Sequence, residues 1–168
     1  MEIIMNQIFI LLLTFFLLIP TATAADIDIR WNNPAKYTDI RAGENNHKQF
    51  RKQLFDKFEK HFSKLATQLP EQQTLKIKVT NIDLAGSTLH AGINRIRIIK
   101  ETYPPRMKFS YQLINVDQSI EIEGDVVLNS MIFMMKRSVK YRNDTLKYEK
   151  IMLDKWFAET FKSMLDNK

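Results

Sequence analysis

Four segments in the middle of the chain alternate apolar and polar residues, and nothing else in the sequence limits the fold so strongly. Leu75, Ile77 and Val79 alternate with Lys76, Lys78 and Thr80, and Ile96 and Ile98 with Arg95 and Arg97. Met107, Phe109, Tyr111 and Leu113 alternate with Arg106, Lys108, Ser110 and Gln112; Ile120, Ile122 and Val126 alternate with Glu121, Glu123 and Asp125. A period of two places the apolar residues of a strand on one face, so each segment reads as a strand with one buried and one wet side. Antiparallel sheets accept a solvated face, whereas parallel sheets are covered on both. Asn115 to Gln118 is short enough for a hairpin between the last two strands. Ile27 to Trp31 repeats the alternation before the turn Asn32-Asn33-Pro34.

A sheet with one dry face needs a cover, and two segments of helical period supply it. Between Asn45 and Leu69, residues Phe50, Leu54, Phe55, Phe58, Phe62, Leu65 and Leu69 fall within an arc of roughly 140° at 100° per residue. Lys52, Asp56, Lys57, Glu59, Lys60, Ser63 and Lys64 take the other side, and Pro70 ends the helix. A second stripe, Leu146, Leu153, Trp156, Phe157, Phe161 and Met164, predicts a helix from Leu146 to Leu165 with Asn143 or Asp144 as N-cap. Met131 to Val139 fits either a further strand or an irregular crossing. The predicted architecture is α+β: a mainly antiparallel sheet of four to five strands with two amphipathic helices packed on one face.

The chain has no cysteine. That excludes a disulfide scaffold, a thiolate metal site, a cysteine nucleophile and a lipidated cysteine, so the core alone must hold the fold. The absence matters because the first 24 residues have the layout of a secretory signal peptide. An apolar run from Ile8 to Ile19 is followed by Pro20 and by Ala22-Thr23-Ala24, where small side chains suit signal peptidase. The run is short of the roughly 20 apolar residues of a spanning helix. Glu2 sits where a basic residue is usual, and a start at Met5 would remove it. Residues 1–24 are therefore read as a signal peptide cleaved after Ala24, and 25–168 as one globular domain of the periplasm with no membrane span. Loss of Glu2 raises the net charge by one above the +6 of the full chain. A basic balance favours anionic surfaces or acidic partners.

The wet face of the sheet carries much of that charge. Lys76, Lys78, Arg95, Arg97, Arg106 and Lys108 would line three strands, and Glu121, Glu123 and Asp125 the fourth. Such a face either attracts a polyanion or acidic partner, or pairs its own charges across strands, with Lys108 and its neighbours answering Glu121 and Glu123. Internal pairing is the expected arrangement. A second basic stretch, Lys136, Arg137, Lys140, Arg142, Lys147 and Lys150, is interleaved with Tyr141 and Tyr148. Single-stranded nucleic acid binds such patterns, but an exported chain rarely meets it, and a solvated loop and helix start are expected. Met131, Met134 and Met135 could bind Cu(I) through thioether sulfur, although Ile132 and Phe133 among them suit core or interface filling.

No catalytic pattern emerges. His47 and His61 lie about 21 Å apart along one helix and cannot share a metal. His90 follows Asp83-Leu84-Ala85-Gly86, and an Asp83/His90 pair could in principle move a proton. The glycines form no phosphate loop, and no zinc, serine-triad or paired-carboxylate spacing occurs, so no cofactor or metal is expected.

Several phrases occur in a characteristic order. Trp31 leads through Pro34 to Tyr37-Thr38-Asp39-Ile40-Arg41, and Leu69-Pro70 to Leu75-x-Ile77-x-Val79-Thr80 and Asp83-Leu84-Ala85-Gly86. Ile96-Arg97 and Tyr103-Pro104-Pro105-Arg106 with Phe109-x-Tyr111-x-Leu113 follow, then Tyr148-Glu149-Lys150 and Leu153-Asp154-x-Trp156-Phe157. In this order the chain resembles the bacterial DUF3016 family of exported proteins of unknown function. It departs from the pattern at Asp117-Gln118-Ser119, where the resemblance implies a glycine. The resemblance implies a single exported domain and no mechanism. It singles out Tyr37, Asp39, Asp83, Arg97, Arg106, Tyr111 and Glu149 as candidate partner-binding residues. The expected function is a non-enzymatic binding or accessory domain of the cell envelope for an anionic or protein partner. The alternative is a small hydrolase or lyase using Asp83, His90 or Glu149 with an arginine.

Overall fold

A computed structural model describes residues 25–40, 47–91, 94–135 and 139–166, with the backbone alone at His47 and for the described residues within 88–96. The signal-type segment lies outside the described residues. In chain order the elements are β1 (Asp26–Trp31), α1 (His47–Ala66), β2 (Thr74–Asp83), β3 (Ser87–Ala91), β4 (Asn94–Ile98), β5 (Arg106–Ile114), β6 (Ile120–Asn129), α2 (Lys147–Thr160) and α3 (Lys162–Asp166). Short 3-10 turns form at Pro34–Lys36 and Phe133–Met135.

The main sheet has the order β1-β2-β5-β6, and β3 and β4 form a separate two-stranded hairpin. β2, β5 and β6 are antiparallel, as their alternation predicts, but β1 runs parallel to β2. Parallel neighbours need a long crossover, and α1 provides it. The fold is therefore α+β with a mixed sheet.

Register explains why one face is dry. Ile27, Leu75, Leu113 and Ile122 share one cross-strand row, and Trp31, Val79, Phe109 and Val126 another. Phe109 meets Phe62 of α1 at 6.1 Å and Trp156 of α2 at 4.8 Å between ring centroids, so both helices cover the same sheet face. Phe58, Phe62, Phe157 and Phe161 are fully buried between helices and sheet. Each such side chain contributes about 1.5–3 kcal/mol through removal from water. Between those rows Tyr111 faces Gly124, where a Cβ would come 3.1 Å from Cε1 of the tyrosine ring. The missing side chain lets that ring lie against the β6 backbone.

Three expectations are corrected. Arg95 and Arg97 belong to β4, which is not part of the main sheet, so they do not line its wet face. Lys108 stands opposite Val127, and it is Gln112 that faces and bonds Glu123, with Nε2 donating over 2.7 Å. The last helix is broken at Phe161, where the backbone leaves the helical region (φ −104°, ψ 19°). Its ring is drawn against Tyr111, Trp156 and Phe157, and that burial outweighs helical continuity. Asp144 acts at the start of this helix, accepting the Leu146 N–H at 2.8 Å just outside the first turn. The described part of Met131–Val139 is irregular, with one 3-10 turn, and residues 136–138 lie outside the described residues.

Candidate functional site

The loop Leu84-Ala85-Gly86 leaves the end of β2, and five of the seven candidate residues gather around it. Asp39 and Asp83 form an isolated parallel bridge, and the Asp39 N–H donates to the Ile82 carbonyl at 3.1 Å. Arg97 on β4 reaches back. One guanidinium nitrogen lies 2.8 Å from Asp39 Oδ2, and another donates to the Ala85 carbonyl at 3.1 Å. Arg106 stands opposite Asp83 across β2 and β5. From α2, Glu149 Oε1 accepts the Ala85 N–H at 2.7 Å.

Three carboxyls and two guanidiniums meet at this corner, with Arg97 and Asp39 in an ion pair. Glu149 is 2% exposed, and its Oε2 has no hydrogen-bond partner among the described residues. Burial pushes its carboxyl above the usual range, against the pull of the Ala85 N–H and of Arg97. Burial and then Asp39 push the Asp83 carboxyl up, and Arg106 and Arg97 oppose them. Gly86 has φ 82°, and a Cβ there would lie 2.4 Å from the Ile98 carbonyl oxygen, so the β4 backbone packs onto a loop that only glycine can form. The arrangement is a latch. Arg97 bonds the loop backbone and Asp39, and Glu149 holds the loop through Oε1 alone.

The other two candidates stand apart. The Tyr37 hydroxyl donates to the Val79 carbonyl at 2.7 Å inside the core, and burial pushes it up to about 12. Tyr111 packs its ring against Trp156 at 5.4 Å, and burial raises its hydroxyl as well. The side chain of His90 lies outside the described residues. Met131, Met134 and Met135 are exposed on the turn after β6.

The wet face of the main sheet is open. A hollow of about 720 Å³ lies on it, lined by Asp28 and Arg30 of β1, Lys76 and Lys78 of β2, Ser110 and Gln112 of β5, and Glu123 and Asp125 of β6. Arg30 pairs with Asp28 at 3.3 Å. Among the described residues, Lys76 and Lys78 make no ion pair, so the expected cross-strand neutralisation does not occur at the middle of the face.

A second polar network was not anticipated from sequence. His61, 4% exposed on α1, places Nε2 3.0 Å from Asp154 Oδ1 on α2. Lys140 Nζ lies 2.7 Å from Asp154 Oδ2, and the Tyr141 hydroxyl donates to it at 2.9 Å. Burial pushes the Asp154 carboxyl up, but the bonds from His61, Lys140 and Tyr141 outweigh it and bring it down to about 2. The one signal available was the acid inside the phrase Leu153-Asp154-x-Trp156. Among the described residues no group of three or more His, Cys, Asp or Glu is placed to hold a metal ion.

The phrases that build the latch extend through the whole described chain, and the family model for DUF3016, a protein of unknown function, matches residues 25–159. The chain belongs to the DUF3016 family. Neither the curated proteins nor the solved structures contain a match to it. In this DUF3016 protein the turn at Asp117-Gln118-Ser119, where the resemblance implied a glycine, has the backbone geometry that glycine favours. Gln118 has φ 67°, its N–H donates to the Asn115 carbonyl at 3.0 Å, and Asn115 N–H donates to the Ser119 carbonyl at 2.9 Å. That is a three-residue hairpin loop closed by a left-handed residue.

Proposed function

We propose that this DUF3016 protein is an exported, non-enzymatic binding domain of the cell envelope. The wet face of its sheet receives a segment of mixed charge from a protein partner. The observation that carries this reading is the open hollow with two unpaired ammonium groups, Lys76 and Lys78, at its centre. Carboxylates flank them: Asp28 on one side, Glu123 and Asp125 on the other. Alternating signs favour a partner of mixed charge, hence a protein rather than a uniform polyanion. Support for export comes from the apolar run, Pro20 and Ala22-Thr23-Ala24, after which the family match begins at residue 25. Among the described residues no helix is long and apolar enough to cross a membrane. Pull-down from envelope extracts with the purified protein should recover a specific protein, and Lys76→Glu/Lys78→Glu should lose it. Recovery that is equal with the double variant, or no recovery at all, contradicts the proposal.

One observation favours the second reading, a small hydrolase or lyase: Asp83, Arg97, Arg106 and Glu149 meet at one corner. It requires turnover of an ester, phosphoester or glycoside that is lost in Asp83→Asn. A substrate panel without turnover removes it.

A further inference from the structure

From residue 139 on, the basic stretch before α2 is exposed but tied to the rest of the fold. Lys57 of α1 comes up to it and donates from Nζ to Thr145 Oγ1 at 2.8 Å, across 88 positions of sequence. The two segments enclose an open hollow of about 520 Å³, lined by Lys57 and by residues 139–145, among them Lys140, Tyr141, Arg142, Asp144 and Thr145. The walls are held in place. Lys140 and Tyr141 are both tied to Asp154, and Lys150 bonds Asp144 at 2.5 Å. The turn itself is closed by the Asp144 N–H on the Tyr141 carbonyl at 3.0 Å.

Charge at this hollow does not cancel. Of its lining residues Lys57, Lys140 and Arg142 are positive and Asp144 negative; behind them Asp154 answers Lys140 and Lys150 answers Asp144, which leaves an excess of two positive charges. Among the described residues Arg142 has no ion pair, and Lys57 bonds a neutral hydroxyl and lies near enough to Asp144 to help hold that carboxyl down. The hollow also opens beside the start of α2, a helix of 14 residues whose N-terminal end carries partial positive charge. An excess of two charges over an open hollow attracts dianions. A guanidinium and an ammonium lining one hollow suit the oxygens of a phosphate, because the planar fork grips two of them while the ammonium acts as a point charge.

We infer that the hollow between Lys57 and the 139–145 turn is a binding site for a phosphate group, gripped by Arg142 and Lys57. The site is separate from the sheet face, and the two stand or fall independently. The group comes either from a soluble phosphate ester or from the headgroup of an anionic lipid.

The test is titration of the purified protein with inorganic phosphate, read by amide chemical shifts, alongside sedimentation with vesicles containing phosphatidylglycerol. Shifts should saturate and centre on residues 139–145 and Lys57. Arg142→Ala, at an exposed position, should weaken binding at least tenfold, with Arg142→Lys intermediate, and Lys76→Ala/Lys78→Ala should leave it unchanged. Saturation by phosphate without vesicle binding assigns a soluble ester. Vesicle binding that phosphate competes away assigns a headgroup. No saturation with either probe, or binding indifferent to Arg142→Ala and Lys57→Ala, overturns the inference.

Discussion

At the scale of single residues, three positions carry strain or charge that substitution can read. Gln118 pays for a left-handed conformation in which a Cβ crowds the backbone. Gln118→Gly should therefore stabilise the protein by about 1 kcal/mol, the steric relief exceeding the entropy lost from a freer unfolded chain. Denaturant midpoints would check this, with an unchanged slope. Glu149 behaves oppositely to an ordinary surface acid. Its folded carboxyl is raised by burial, so the stability linked to it is present below the unfolded value and is lost as pH rises through the folded one. Glu149→Gln should keep the bond from the Ala85 N–H, raise stability at neutral pH and flatten its pH dependence there. Asp154 has the reverse sign. Held at about 2 in the fold, it contributes above the unfolded value and loses that contribution as pH falls from the ordinary carboxylate range to about 2. Asp154→Asn should lower stability at neutral pH by about 1 kcal/mol, allowing for solvent screening, and should remove that part of the acid sensitivity. Thermal melts from pH 2 to 7 measure both.

At the scale of elements, β2, β5, β6 and α1 were legible because each buries one face, and the period of its apolar residues records which one. β1 was legible as a strand but not as a parallel neighbour of β2, since direction depends on the path of α1 and not on any local pattern. β4 shows the limit most clearly. Arg95-Ile96-Arg97-Ile98 alternates like its neighbours, yet it pairs with β3 outside the main sheet, and the Arg97 guanidinium is committed to Asp39 and the 84–86 loop. The family phrases named most of the latch. They included Asp154 but not its partner His61, which is distant in sequence and meets it only when α1 packs beside α2. If Arg97 is what docks the β3–β4 hairpin, Arg97→Ala should speed hydrogen exchange in β3 and β4 while leaving β2 and β5 protected. Equal loss of protection throughout would mean that the latch holds the whole fold and not one hairpin.

At the scale of the molecule, the two faces of one sheet divide the work. The inner face is closed by α1 and α2 around rings such as Phe62, Phe109 and Trp156, which is how a chain without cysteine holds together. The outer face is left uncovered over a hollow of about 720 Å³ with its central lysines unpaired. At the end of β2 the half-buried Asp83 stands opposite the exposed Arg106, beside the loop that Arg97 and Glu149 hold. The central claim is that the outer face is where a partner binds. Site-specific photocrosslinking tests it most directly, with the probe placed at Ser110 on the floor of the hollow or at Lys60 on the exposed side of α1, in protein incubated with envelope extract. The account expects a discrete protein adduct from Ser110 that Lys76→Glu/Lys78→Glu abolishes, and none from Lys60. No adduct from Ser110, or the same adduct from both positions, would contradict it.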